Sequence, residues 1–183
     1  MKLSTISRFS VALFKHIGLK IRNGNRFTCT FTNSYSPSTD VKIHRGGFLA
    51  IGNHLSTLND VTISVASGAN LTIGKNVNIN KSCSIVAKES VKIGDYVLFG
   101  PNCGVYDHDH NYKKKGKQRQ EEFVTGKIEI GNGVWFGANC IILKNTKIGD
   151  NCVFGAGTII RGEYPPDSIV VEKREYINKQ IRF

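Results

Sequence analysis

Two histidines stand two residues apart in the stretch Tyr106-Asp107-His108-Asp109-His110. A neutral imidazole, with a reference pKa near 6.5, takes a proton from a hydroxyl at ordinary pH and so acts as a general base. The aspartates on either side are candidates for holding its tautomer. Two residues apart, the two rings share one face of an extended chain, so only one of them fits a given catalytic register. Five cationic side chains follow between Lys113 and Arg119, in a chain whose formal net charge is +11, from 25 Lys and Arg against 14 Asp and Glu. That balance points to an anionic partner. The other histidines, His16, His44 and His54, all lie early in the chain, so a three-histidine metal site has no ready donors and no metal is expected.

The elements that position these histidines announce themselves by a beat of six. Large apolar residues recur at Ile73, Ile79 and Ile85, slip by two, and resume at Ile93, Phe99 and Val105. After the basic stretch they run on as Ile130, Phe136, Ile142, Ile148, Phe154 and Ile160. Small or β-branched residues stand four places later, among them Val77, Cys83, Cys103, Cys140 and Thr158, and glycine often follows the large residue directly. Six is not a helical period, and it contains the two-residue alternation of a strand. A short strand and a corner, repeated, give a stack of coils in which each unit buries its apolar side on the next. The expected fold is a parallel β-helix of three strands per coil, about eighteen residues per turn, with glycine as the permissive corner residue. Four of the five cysteines fill the small inward slot and read as reduced, packed thiols. Residues 41–74 carry weaker fragments of the same pattern and read as irregular first coils, and Pro165–Pro166 end regular pairing.

This divides the chain into a helical or irregular segment 1–40, a β-helix 41–171 with a protruding loop 106–127, and a charged tail 172–183 with some helical character. Near the N-terminus, Leu3, Ile6, Phe9, Leu13, Phe14 and Ile17 fit a helical stripe interrupted by Arg8, Lys15 and His16. The interruptions and the lack of a small-residue cleavage site argue against a signal peptide, and no run is long enough to span a bilayer. The helix is expected to pack on its own domain or a sister subunit, with a basic amphipathic helix on a membrane surface as the alternative.

The repeat "IGDNCVFGAGTII", with "VLFGPNCGVYDHDH" leading through a loop to "IGNGVWFG", resembles the hexapeptide-repeat acyltransferases, in particular the galactoside and maltose O-acetyltransferases and those of capsule and lipopolysaccharide assembly. The resemblance covers about half of the chain. It implies an all-β fold: a left-handed parallel β-helix of hexapeptide repeats with a protruding loop and a short N-terminal helix. It further implies a homotrimer with sites between subunits, acetyl-CoA as co-substrate, and a small-molecule or glycan acceptor; the reduced cysteines fit a cytoplasmic location, at the inner face of the membrane if the N-terminal helix rests there. On the basis of the resemblance His110 is the general base and Asn80 a catalytic partner from the opposite subunit. Trp135, Gly137, Ala138, Gly155, Ala156 and Arg161 are the expected CoA contacts, with the N–H groups around Gly137 and Ala138 as oxyanion donors. His108, Asp107 and Tyr106 are the expected acceptor contacts. At Asn80 the competing reading is corner geometry, since asparagine tolerates positive φ. The family's Gly-x-Pro-Ala-like turn after the diproline is missing from "DSIVVEKREYI", which leaves Lys173 and Arg174 as substitutes for phosphate contacts. Other readings are an acyltransferase for a non-sugar molecule, a zinc carbonic anhydrase on the same coil, and a non-catalytic scaffold or anion binder. No aromatic-interleaved basic platform suggests nucleic acid.

Overall fold

The computed structural model describes residues 3–173, with side chains from residue 7 onward. A helix, α1 (Leu3–Asn23), precedes a stack of about six left-handed coils. Three columns of parallel strands form the walls. Face A is built from Ser56–Thr57, Asn78–Ile79, Leu98–Phe99, Trp135–Phe136, Val153–Phe154 and Ile169–Val170. Face B holds Asp40–Ile43, Thr62–Val65, Ser84–Ala87, Gly104–Tyr106 and the first part of Ile141–Ile148. Face C holds Phe27–Thr28, Phe48–Ile51, Asn70–Ile73, Ser90–Ile93, Ile128–Ile130 and the last part of Ile141–Ile148. The chain runs C to A to B and back to C.

The core is a set of columns, because each inward residue lies directly over its equivalent in the next coil. Phe99, Phe136 and Phe154 stack at ring-centroid distances of 5.0 and 5.3 Å. Ile63 and Ile85 sit in register on face B, as do Ile73, Ile93 and Ile130 on face C.

The six-residue beat holds across faces C, A and B throughout, and every departure falls at the corner from B to C. Ten positions separate Ile63 from Ile73, eight separate Ile85 from Ile93, twenty-five separate Val105 from Ile130, and six separate Ile142 from Ile148. The early stretch is therefore regular, where the sequence pattern points to irregular first coils. It forms full coils of twenty-two residues, Leu49 to Leu71 for example, rather than eighteen. Thr57, fully buried in the slot of face A, hid the beat there.

The corner glycines also have a different reason from the expected one. Gly94 and Gly131 are not among the positive-φ residues. They are small because the coils touch at that point: a Cβ on Gly94 would lie 2.5 Å from the carbonyl oxygen of Gly131, and one on Gly131 would lie 2.7 Å from the carbonyl carbon of Gly149. The left-handed backbone falls two residues later, on Asn76, Tyr96, Gly133, Asn151 and Asp167 at this corner.

Helix α1 caps the open end of the stack, and its orientation reverses the expected stripe. The first coil ends in unpaired strand edges, which need donors more than apolar cover. Arg8 donates to the carbonyl of Thr57 at 2.5 Å, Lys15 to that of Thr39, and Lys20 to that of Phe27 at 3.1 Å. Ala12 and His16 are buried, whereas Leu13, Phe14, Ile17 and Ile21 face outward. The side chains of Leu3 and Ile6, and the tail from Arg174 onward, lie outside the described residues.

His16 is 2.9 Å from the Tyr35 hydroxyl, and burial lowers its pKa to about 4. The folded pKa lies below the unfolded value of about 6.5, so its contribution is complete above that value and is lost as the pH falls towards 4. The melting temperature of the wild type should therefore drop between those pH values, and His16→Gln should flatten that slope. An unchanged slope would show that His16 is not the group responsible.

Candidate active site

The loop leaves the stack at the B–C corner, where coil length is free to vary. Its stem is an antiparallel pair, His108–His110 against Phe123–Thr125, with a short helix α2 (Gly116–Glu121) at the tip. Asp107 anchors the stem from inside. It is 0% exposed and accepts the backbone N–H groups of Lys88 and Glu89 at 2.8 Å and of Ser90 at 2.9 Å. Such a carboxylate is saturated with donors and closed to ligand, so the expected substrate contact by Asp107 gives way to a structural role. Asp109, on the other face of the strand, pairs with Lys144 at 2.9 Å. Lys144 is buried, and this bond ties the loop to the next coil.

The two histidines share the Phe123 side of the stem, at centroid distances of 5.4 and 4.6 Å. Their environments differ. His108 is mostly covered and places Nδ1 3.1 Å from the Asp107 carboxylate. His110 is exposed, and its Nδ1 lies 2.9 Å from the carbonyl oxygen of Arg119. A carbonyl only accepts, so His110 carries its proton on Nδ1 and leaves the Nε2 lone pair free. Tyr106 lies half-buried on the outer surface of face B.

A second cluster gathers at the A–B corner. Asn80, Gly100, Gly137 and Gly155 form one column, each donating its N–H to the coil below: to Phe99, Phe136, Phe154 and Val170 respectively. Gly137's N–H is thus already used at 2.8 Å. The N–H groups of Ala138 and Ala156 have no acceptor among the described residues. Their direction follows from the peptide plane. The buried thiol of Cys103 donates to the Gly137 carbonyl at 3.2 Å, and that of Cys140 to the Gly155 carbonyl at 3.2 Å. With these carbonyls drawn inward and the peptides trans, the Ala138 and Ala156 N–H groups point outward. A Cβ on Gly100 would stand 2.7 Å from Ala138 N, and one on Gly137 would stand 2.6 Å from Ala156 N. The glycine column leaves both donors uncovered.

Asn80 is not a positive-φ residue, which removes the corner-geometry reading. Its Oδ1 accepts the N–H of Lys81 at 2.8 Å, so the side-chain NH₂ is left to donate outward. A groove on face A, about 360 Å³ in volume, is lined by Asn80 with Asn78, Leu98, Phe99, Gly100 and Trp135. Trp135, 52% exposed, forms part of its wall.

Residues 127–162 match the bacterial transferase hexapeptide family, described as six repeats. This segment carries the hexapeptide repeat of that family. The galactoside O-acetyltransferase of Escherichia coli K12 is 39% identical over 106 residues, covering 56% of this chain and 50% of that protein. The galactoside O-acetyltransferase of Lactococcus lactis is 31% identical over 103 residues, covering 56% and 49%. The chain thus spans about half the length of these curated relatives. Two solved structures share the fold. A variant of AntD, an N-acyltransferase from Bacillus cereus in complex with dTDP and coenzyme A, superposes with a TM-score of 0.69 at 19% identity, covering 88% of this chain and 87% of that one. A galactoside acetyltransferase in complex with coenzyme A gives 0.56 at 24% identity, covering 92% and 76%.

Of the residues singled out from the sequence, Asn80, Gly137, Ala138, Gly155, Ala156 and Trp135 meet at the A–B corner. His108, His110, Tyr106 and Arg161 lie at or beside the B–C corner, so one chain does not bring the two groups together. The sequence did not point to Lys144 or to the polar work of the cysteines. The second had a trace: Thr158, in the same inward column, donates its hydroxyl to the Gly155 carbonyl at 2.7 Å. In a purely apolar slot valine outperforms threonine. Here Cys103→Thr should be more stable than Cys103→Val, which leaves a buried carbonyl unpaired at a cost of about 1–3 kcal/mol. Thermal unfolding of the two variants decides it, and a more stable valine variant would remove the thiol's role.

Proposed function

We propose that this protein transfers an acetyl group from acetyl-CoA to a hydroxyl of a sugar or glycan precursor, at sites formed between the subunits of a homotrimer. The supporting observation is His110: an exposed imidazole whose Nδ1 proton is engaged by Arg119 and whose Nε2 is free, carried on a loop that projects from the coil. The names of the curated relatives supply the acceptor class, and the neighbours that hold coenzyme A supply the donor.

In this reading the loop of one subunit reaches the face-A groove of the next. His110 Nε2 takes the proton of the acceptor hydroxyl as its oxygen attacks the thioester carbonyl carbon. The carbonyl oxygen gains the negative charge, which the outward N–H of Ala138 and the Asn80 amide are placed to meet. Collapse of the tetrahedral intermediate restores the carbonyl, breaks the C–S bond and releases CoA thiolate, to which the imidazolium returns a proton. Trp135 and the flat Gly155–Ala156 surface would carry the pantetheine arm, and Arg161 or Lys173 a phosphate. The exposed side chains Leu98 and Trp135 in the groove, with Ile169 further along the same face, favour a partner subunit or ligand over bare solvent.

A second reading makes His108 the base, and it has its own observation: the Asp107 carboxylate beside Nδ1 is the partner found in acid–base dyads. Exposure favours His110. Steady-state thiol release should fall roughly 10²–10⁴-fold in His110→Ala with little change in CoA affinity. His108→Ala should lose much less. The reverse order would transfer the role to His108, and near-wild-type rates in both variants would remove the loop from catalysis.

A further inference from the structure

The outer surface of α1 does not belong to the acyl-transfer site. Its inner side is spent on capping carbonyls, and this leaves four large apolar residues, Leu13, Phe14, Ile17 and Ile21, in a row on the outside. Phe14 is 74% exposed and Ile21 80%. Phe31, 73% exposed, projects from the adjoining turn, and with Ile17 and Ile21 it borders a groove of about 350 Å³. A contiguous apolar surface of this kind marks an interaction site.

The charge around it selects the partner. Arg22 is exposed on the helix and Arg26 half-buried just beyond it, Lys20 borders the same groove while it donates to Phe27, and no acidic residue occurs in the chain before Asp40. Among the described residues no helix is long and apolar enough to cross a membrane. An apolar stripe on a helix whose charges are all positive is the pattern of an in-plane helix on an anionic lipid surface, where the ring and aliphatic side chains enter the acyl boundary and the cations meet phosphate groups.

We infer that the outward face of α1, with Phe31, docks the protein on anionic bilayers. The rest of the coil does not share this surface, so the inference stands independently of the proposed reaction. The test is co-sedimentation of the full chain with vesicles of equimolar phosphatidylglycerol and phosphatidylcholine, against phosphatidylcholine alone. The wild type should bind the anionic vesicles, bind the neutral ones weakly, and release at high salt. The double variant Phe14→Ser, Ile21→Ser should lose vesicle affinity roughly tenfold or more, with unchanged melting temperature and unchanged thiol release, since both side chains are already in solvent. Failure to bind anionic vesicles at low salt would overturn the inference, as would wild-type binding by the double variant. A smaller particle mass for the double variant in solution would also overturn it, by showing that the patch joins copies of the chain.

Discussion

In a stack of parallel coils every residue has its neighbours directly above and below, and the ladder that fixes this register tolerates no change of length within a wall. Length can change only at a corner. In this chain it changes at one, between faces B and C, where successive coils take ten, eight, twenty-five and six residues between equivalent core positions. The protruding loop is the largest member of that series. Its stem is fixed by the coil it leaves, through Asp107 and the turn at Lys88–Ser90, and by the coil it rejoins, through Lys144 and Asp109.

The same column logic makes the opposite element of the site. At the A–B corner, glycine follows glycine because coils approach too closely for a Cβ, and the inward slot behind them holds thiols that bind the carbonyls. A peptide whose C=O is held inside must present its N–H outside. Two such donors, at Ala138 and Ala156, arise from the packing of the stack, with no side chain required at the surface. The core and the candidate oxyanion site are two sides of the same peptide groups.

Most of this architecture was legible in the sequence because a β-helix is nearly one-dimensional: the six-residue beat is the fold. Where the beat rests on a large residue, as from Ile130 to Ile160, the reading held. It faded where Thr57 replaced a large residue and where four-residue strands lengthened the early coils. The glycines were rightly placed for a different physical reason, close contact rather than positive φ. The helix was misread because amphipathic patterns assume an apolar surface to cover. The end of this stack offers Phe27, Tyr35 and a row of carbonyls, so Arg8, Lys15 and Lys20 turn inward and the phenylalanine and isoleucines turn out. The histidine environments depend on a loop fold that no periodicity encodes.

One chain separates His110 from the groove of Asn80 and Ala138 by placing them at different corners, so the account requires that a site be shared between subunits. Complementation measures this directly. Asn80→Ala and His110→Ala, each inactive alone, are to be unfolded, mixed in equal amounts and refolded together, with thiol release followed against each variant refolded separately. Random assembly should restore an intact pairing of His110 and Asn80 in about one quarter of the sites, and activity to match. Mixed assemblies of the expected mass that remain as inactive as their parents would contradict a site built from two subunits.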